Sequence, residues 1–214
     1  MVSSIDLKQI ERKAYRSTYQ DGIWDIYMGT VVVLMGLFLY HPESGYSAIN
    51  IIMMVLLLSL AYSLFWAGKK YITLPRMGQV RFGPVRQRRK KTMAIILGVI
   101  VLIQIIFVGL TAVSRYYPQV GGRLFGSTDA GLATVAAIGS LFVGLPMLLM
   151  AYMIDFPRGY YIAVLMSLAV FLMILTNQPL YPAVLGILII IPGVVLLINF
   201  LKKYPLPRRD ETHE

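Results

Sequence analysis

Ala183–Leu201, which reads AVLGILIIIPGVVLLINFL, decides the fold: nineteen residues without a charge, followed at once by Lys202-Lys203. At about 1.5 Å per residue a helix of that length reaches about 28 Å, close to the thickness of a bilayer's hydrocarbon core. Five more stretches read the same way: Ile23–Tyr40, Ile49–Trp66, Met93–Val113, Ala130–Met153 and the shortest, Tyr160–Leu175. Short connectors rich in turn formers separate them, such as His41-Pro42-Glu43-Ser44-Gly45 and Asn177-Gln178-Pro179. A membrane β-barrel would instead alternate apolar and polar residues in segments of about ten. The composition agrees, with 57% hydrophobic and 14% charged residues against about 45–50% and about 25% in soluble domains. These runs predict an all-α membrane protein, a bundle of six transmembrane helices over residues 23–201.

Orientation follows from where the 20 Lys and Arg fall. Four precede the first span, nine lie between the second and third, Arg158 follows the fourth, and four follow the sixth. Only Arg115 and Arg123 fall on the other side. Cytoplasmic loops collect Lys and Arg, so this positive-inside bias predicts a multi-pass plasma-membrane protein with both termini cytoplasmic (N-in/C-in). The net charge of +10 is then mainly a statement about topology. Trp24, Tyr27, Tyr40, Trp66, Tyr71, Tyr152 and Tyr160 near span ends match interfacial aromatics.

Residues 1–22 lack the pattern of a cleavable signal peptide. Ser3-Ser4-Ile5-Asp6 suits a helix start, and Leu7, Ile10 and Ala14 form a stripe, which predicts a short amphipathic interfacial helix. Residues 202–214 form a cytoplasmic tail. Two segments echo each other: Lys69-Lys70-Tyr71-Ile72-Thr73-Leu74-Pro75-Arg76 and Lys202-Lys203-Tyr204-Pro205-Leu206-Pro207-Arg208. Gly29 and Gly36 in the first span share their seven-residue spacing with Gly186 and Gly193 in the sixth, which puts each pair on one helix face. Duplication of a two-span hairpin would explain both echoes; chance, with the habit of placing Lys and Pro after a span, is the plainer account.

The basic loop 68–92 carries Lys69, Lys70, Arg76, Arg81, Arg86, Arg88, Arg89, Lys90 and Lys91, and no acid. Tyr71–Leu74 and Gln79–Phe82 have strand-like composition, which predicts a hairpin, with Arg86–Lys91 leading helically into the third span. Each such cation gains about 1 kcal/mol beside an anionic leaflet, so the loop is expected to engage anionic headgroups or an acidic partner, a protein subunit or second copy among them. Nucleic acid is disfavoured, because only Tyr71 and Phe82 offer stacking rings.

Asp21 is expected to cap the first span, Asp25 to pair with a cation of the basic loop, and Asp155 to pair locally with Arg158. Asp129, after Ser127-Thr128, is a capping residue. Gln104 is the strongly polar side chain near mid-span, suited to interhelical hydrogen bonding. The fourth span reads as the central helix, its Ala136, Ser140 and Gly144 forming a ladder of small residues before Pro146. Pro146 and Pro192-Gly193 are expected to kink the fourth and sixth spans. Broken helices line transport sites, so these positions with Asp25 and Gln104 support an alternative, a small transporter or channel.

No cysteine is present, and His41 and His213 lie outside the spans, which excludes disulfides, thiol catalysis and a buried Ser–His pair. Metalloprotease, phosphate-loop, dinucleotide and serine-hydrolase motifs are missing, so neither enzyme activity nor a cofactor or metal is expected. Asp21-Gly22-Ile23-Trp24-Asp25-Ile26 and Leu74-Pro75-Arg76-Met77-Gly78-Gln79-Val80-Arg81-Phe82-Gly83 resemble uncharacterised prokaryotic multi-span integral membrane proteins over roughly the first 90 residues. That resemblance implies no activity and no residue role. The expected function is therefore a non-catalytic membrane-embedded module.

Overall fold

The structure, a computed structural model, describes residues 19–39, 48–77, 84–116 and 129–205. Six long helices account for nearly all of them: α1 (Ile23–Leu39), α2 (Ala48–Gly68), α3 (Pro84–Tyr116), α4 (Asp129–Ile154), α5 (Arg158–Thr176) and α6 (Leu180–Lys203). No strand occurs among the described residues. The segments Ile52–Met77, Gly131–Ile154, Arg158–Thr176 and Leu180–Lys203 are long and apolar enough to cross a membrane. Ile23–Phe38 and Lys91–Ile106 are shorter apolar stretches. The 17 residues of α1 reach only about 26 Å, while α3 begins with two basic turns before its apolar part. Residues 1–18, the interfacial-helix expectation among them, lie outside the description, as do Arg81 and 206–214.

Helix α2 does not end at Gly68. It continues through a π-helical turn, Lys69–Thr73, into a single α-helical turn, Leu74–Met77. The expected hairpin is thereby overturned for Tyr71–Leu74, whose β-branched and aromatic composition yields to continuation of a long helix. The helical run from Pro84 through Lys91 into the third span is present as expected.

The neighbours run in the order α2, α1, α6, α5, α4, α3, with α1 also touching α5. The buried cluster joins Val32 of α1, Met147 and Ile154 of α4, Ile162, Ala163, Met166 and Ala169 of α5, and Ile189 of α6. The centre is α5 rather than α4: a third of its apolar stretch is buried, against 17% for α4. The small-residue ladder of α4 is the groove that receives α5. Gly144 lies under Ser167, and Gly139 under Ile174 and Val170. By contrast α2 and the stretch Lys91–Ile106 of α3 are largely apolar and exposed, with Ile52, Leu56, Leu60, Leu64, Val99 and Ile103 each more than half accessible. That exterior suits hydrocarbon and not water.

Apolar burial does little to bring helices together in lipid, so close approach and hydrogen bonds set the seams. The α1–α6 seam is built from glycine. Gly22, Gly29 and Gly36 face Gly193, Gly186 and the Pro179–Pro182 turn in antiparallel order. A Cβ at Gly29 would fall 2.6 Å from the Gly186 carbonyl, and one at Gly186 would fall 2.8 Å from the Gly29 carbonyl. Gly22 is needed twice over, for this contact and for its φ of +74°. The shared seven-residue spacing is thus two complementary faces of one seam, which removes the need for a duplication to explain it. The α1–α2 seam is aromatic, with Phe65 against Trp24 and Tyr27 at 4.8 and 4.9 Å between ring centroids.

Candidate functional site

Four charged residues meet where α1 begins, α2 ends and α5 begins. Asp21 stands in the turn before α1 and is fully buried. One carboxylate oxygen accepts the Ile23 amide at 3.2 Å, the expected cap. The other accepts Lys69 Nζ at 2.7 Å and Thr73 Oγ1 at 2.5 Å. Lys69 and Thr73 are four apart, and the π-helical turn between them sets both side chains on one carboxylate. One turn further along α1, Asp25 is 3% exposed and lies 3.2 Å from Arg158 Nη1 of α5. The two are close enough for an ion pair but are not aligned for a hydrogen bond.

The other nitrogen of Arg158 donates to the Tyr19 carbonyl. The Tyr19 ring lies 5.6 Å from Lys69 Nζ and 5.7 Å from the Phe156 ring, while Arg158 stacks over Phe156 at 5.4 Å. Two buried acids and two part-exposed bases therefore meet beside aromatic rings, equal in number and opposite in sign. Buried charges persist when paired in this way, and removing one partner strands the other. The cation of the basic loop that enters the pocket meets Asp21, not Asp25, and Asp25 takes Arg158 from the opposite corner. Asp155 sits in the α4–α5 turn with a left-handed φ of 58°. Sequence spacing placed Arg158 beside Asp155, and the fold also carries its guanidinium across to Asp25 and to the Tyr19 carbonyl.

The two prolines inside helices have a shared logic. A proline at position i lacks the amide that would bond the carbonyl at i−4. Pro146 leaves the Phe142 carbonyl without that partner, and Gln104 Nε2 of α3 donates to it at 2.5 Å. Pro192 does the same to Leu188, whose carbonyl accepts from Tyr161 of α5 at 3.1 Å. Gln104 is thus the substitute donor for Pro146. Tyr161, which the sequence reading passed over, has the same role for Pro192. A donor-bearing side chain on a neighbouring span is the signal that would have found it. Gly193 packs on Asp25, where a Cβ would fall 2.9 Å from that of the aspartate. Other hydroxyls inside helices bond their own turns: Thr30 to the Ile26 carbonyl, Ser59 to Val55 and Ser63 to Ser59. Ser167 reaches across to the Ser140 carbonyl at 2.8 Å, over Gly144.

The cations divide into two groups. Lys69 and Arg158 are inside the charge cluster, and Arg76 donates back to the Ile72 carbonyl at 2.9 Å. Lys70, Arg88, Lys91, Lys202 and Lys203 are exposed. Lys70 and Lys203 each lie over the ring of the next residue, Tyr71 and Tyr204, at 5.4 and 5.5 Å. The side chains of Arg86, Arg89 and Lys90 lie outside the described set. No group of three or more His, Cys, Asp and Glu suited to a metal occurs among the described residues. No family model, curated protein or solved structure matches this chain.

Proposed function

We propose that the chain is a six-span plasma-membrane protein with both termini cytoplasmic, acting as a non-catalytic module whose basic face engages anionic lipid headgroups. One observation carries the reading: among the described residues Asp21, Gln104 and Tyr161 bond to partners within the bundle, while Lys70, Arg88, Lys91, Lys202 and Lys203 stay exposed. Gln104, Pro146 and Pro192 were the residues favouring transport, and each is tied into a contact that completes a helix. Asp25 is likewise buried against Arg158 and Gly193. Lysines beside an anionic leaflet gain about 1 kcal/mol each, so several act together. An acidic protein subunit or a second copy would use the same face.

The test is to neutralise Arg86, Arg88, Arg89, Lys90 and Lys91 together and measure the lipid composition retained around the purified chain. The reading expects a clear loss of anionic over zwitterionic lipid. Unchanged anionic preference would refute it.

A further inference from the structure

A groove of about 340 Å³ runs between α1 and α2, lined by Ile23, Thr30 and Leu34 on one wall and Leu60, Ala61 and Leu64 on the other. Leu197 of α6 borders it, and Gly68 and Ile72 form its end. From Ile23 to Leu34 is three turns of α1, about 16 Å, which matches half of a hydrocarbon core of about 30 Å. A volume of about 340 Å³ over that length leaves a cross-section of about 20 Å². That admits one extended hydrocarbon chain and falls far short of a helix of about 10–12 Å diameter.

The groove ends beside cations. Gly68 and Ile72 bracket Lys70, which the π-helical turn leaves exposed together with Tyr71. Leu197 precedes Lys202-Lys203 on α6 by about one and a half turns, so both Lys-Lys-Tyr segments lie toward the end of the bundle where the groove closes. Lys69 is spent on Asp21. Lys70, Lys202 and Lys203 have no carboxylate partner among the described residues. We infer that this groove and its flanking lysines form a site for one anionic glycerophospholipid of the inner leaflet, its acyl chain between α1 and α2 and its phosphate at Lys70, Lys202 and Lys203. The site rests on the reading of the basic face as a lipid-engaging surface and gives it a place. It also gives a use to the echoed Lys-Lys-Tyr segments.

The experiment is native mass spectrometry of the full chain in detergent with dioleoyl phosphatidylglycerol or dioleoyl phosphatidylcholine. One phosphatidylglycerol per chain is expected to stay bound preferentially. Ala61→Phe, which fills the groove, should abolish that species. K70Q, K202Q and K203Q together should reduce the preference, by about fivefold per lysine. A phosphatidylglycerol with a tail diazirine, applied to the unaltered chain, should label Leu60 and Leu64 above Val99 and Ile103 of α3. This labelling does not depend on any variant folding. Even labelling of both helices, or equal retention of the two lipids, would overturn the site. If neutralising residues 86–91 lowers anionic preference while Ala61→Phe changes nothing, the site fails and the broader reading stands. If neither substitution matters, both fail.

Discussion

Gln104 and Pro146 provide a double-mutant cycle whose outcome depends on the mechanism. If the amide of Gln104 replaces the donor that Pro146 lacks, then Gln104→Leu takes that replacement away from the Phe142 carbonyl. Interhelical hydrogen bonds in membrane proteins average about 0.6 kcal/mol and reach about 1.7. At 2.5 Å, to the carbonyl that the amide missing at Pro146 would have met, this one belongs at the upper end, so the expected cost is about 1–2 kcal/mol. In a Pro146→Ala background the new backbone N–H at 146 reaches the same carbonyl, and Gln104→Leu should cost close to nothing. The coupling of about 1–2 kcal/mol exceeds the scatter of about 0.3–0.5 kcal/mol expected for independent sites. Equilibrium unfolding of the four variants in mixed detergent micelles, followed by helical circular dichroism, measures it. An equal cost of Gln104→Leu in both backgrounds would refute the substitution logic and return Gln104 to the candidates for substrate contact.

Two further perturbations test the seams. Gly29→Ala places a Cβ 2.6 Å from the Gly186 carbonyl and 2.6 Å from Ile190 Cγ1, so the α1–α6 seam must open at a cost of about 1–3 kcal/mol. Gly98→Ala meets nothing within 4 Å and should be neutral or stabilising, so the pair of melting curves separates close packing from helix propensity. Lys69→Met leaves the buried Asp21 carboxylate without its cation and should cost about 3–5 kcal/mol, and Asp21→Asn added to it should recover most of the loss. A double variant as unstable as Lys69→Met alone would contradict the pairing.

The helices were legible because runs such as Ala183–Leu201 are long and apolar. They came out longer at most of their ends, where polar residues such as Arg158 and Thr176 still fit a helix that the apolar count does not reach. The two glycine spacings were visible too, but a one-dimensional reading cannot tell that Gly29 faces Gly186 across an antiparallel seam. The same limit explains the charges. Asp25 and Arg158 are far apart in the chain, so local spacing could not show that they meet. The choice of α4 as centre rested on its small-residue ladder, which marks a close neighbour and not which of the two helices is enclosed. The π-helical turn at Lys69–Thr73 carries no compositional mark, since what calls for it is the buried carboxylate of Asp21 on another helix.

Trp66 is 58% exposed near the end of α2, within one helical turn of Lys69-Lys70, and in a Trp24→Phe background it is the one remaining tryptophan. Vesicles containing brominated phosphatidylglycerol or brominated phosphatidylcholine then report which lipid lies beside the basic end. A basic face that recruits anionic headgroups predicts stronger quenching of Trp66 by the anionic lipid at low salt, converging on the zwitterionic value as salt screens the lysines. Equal quenching by the two lipids at every salt concentration would contradict the account.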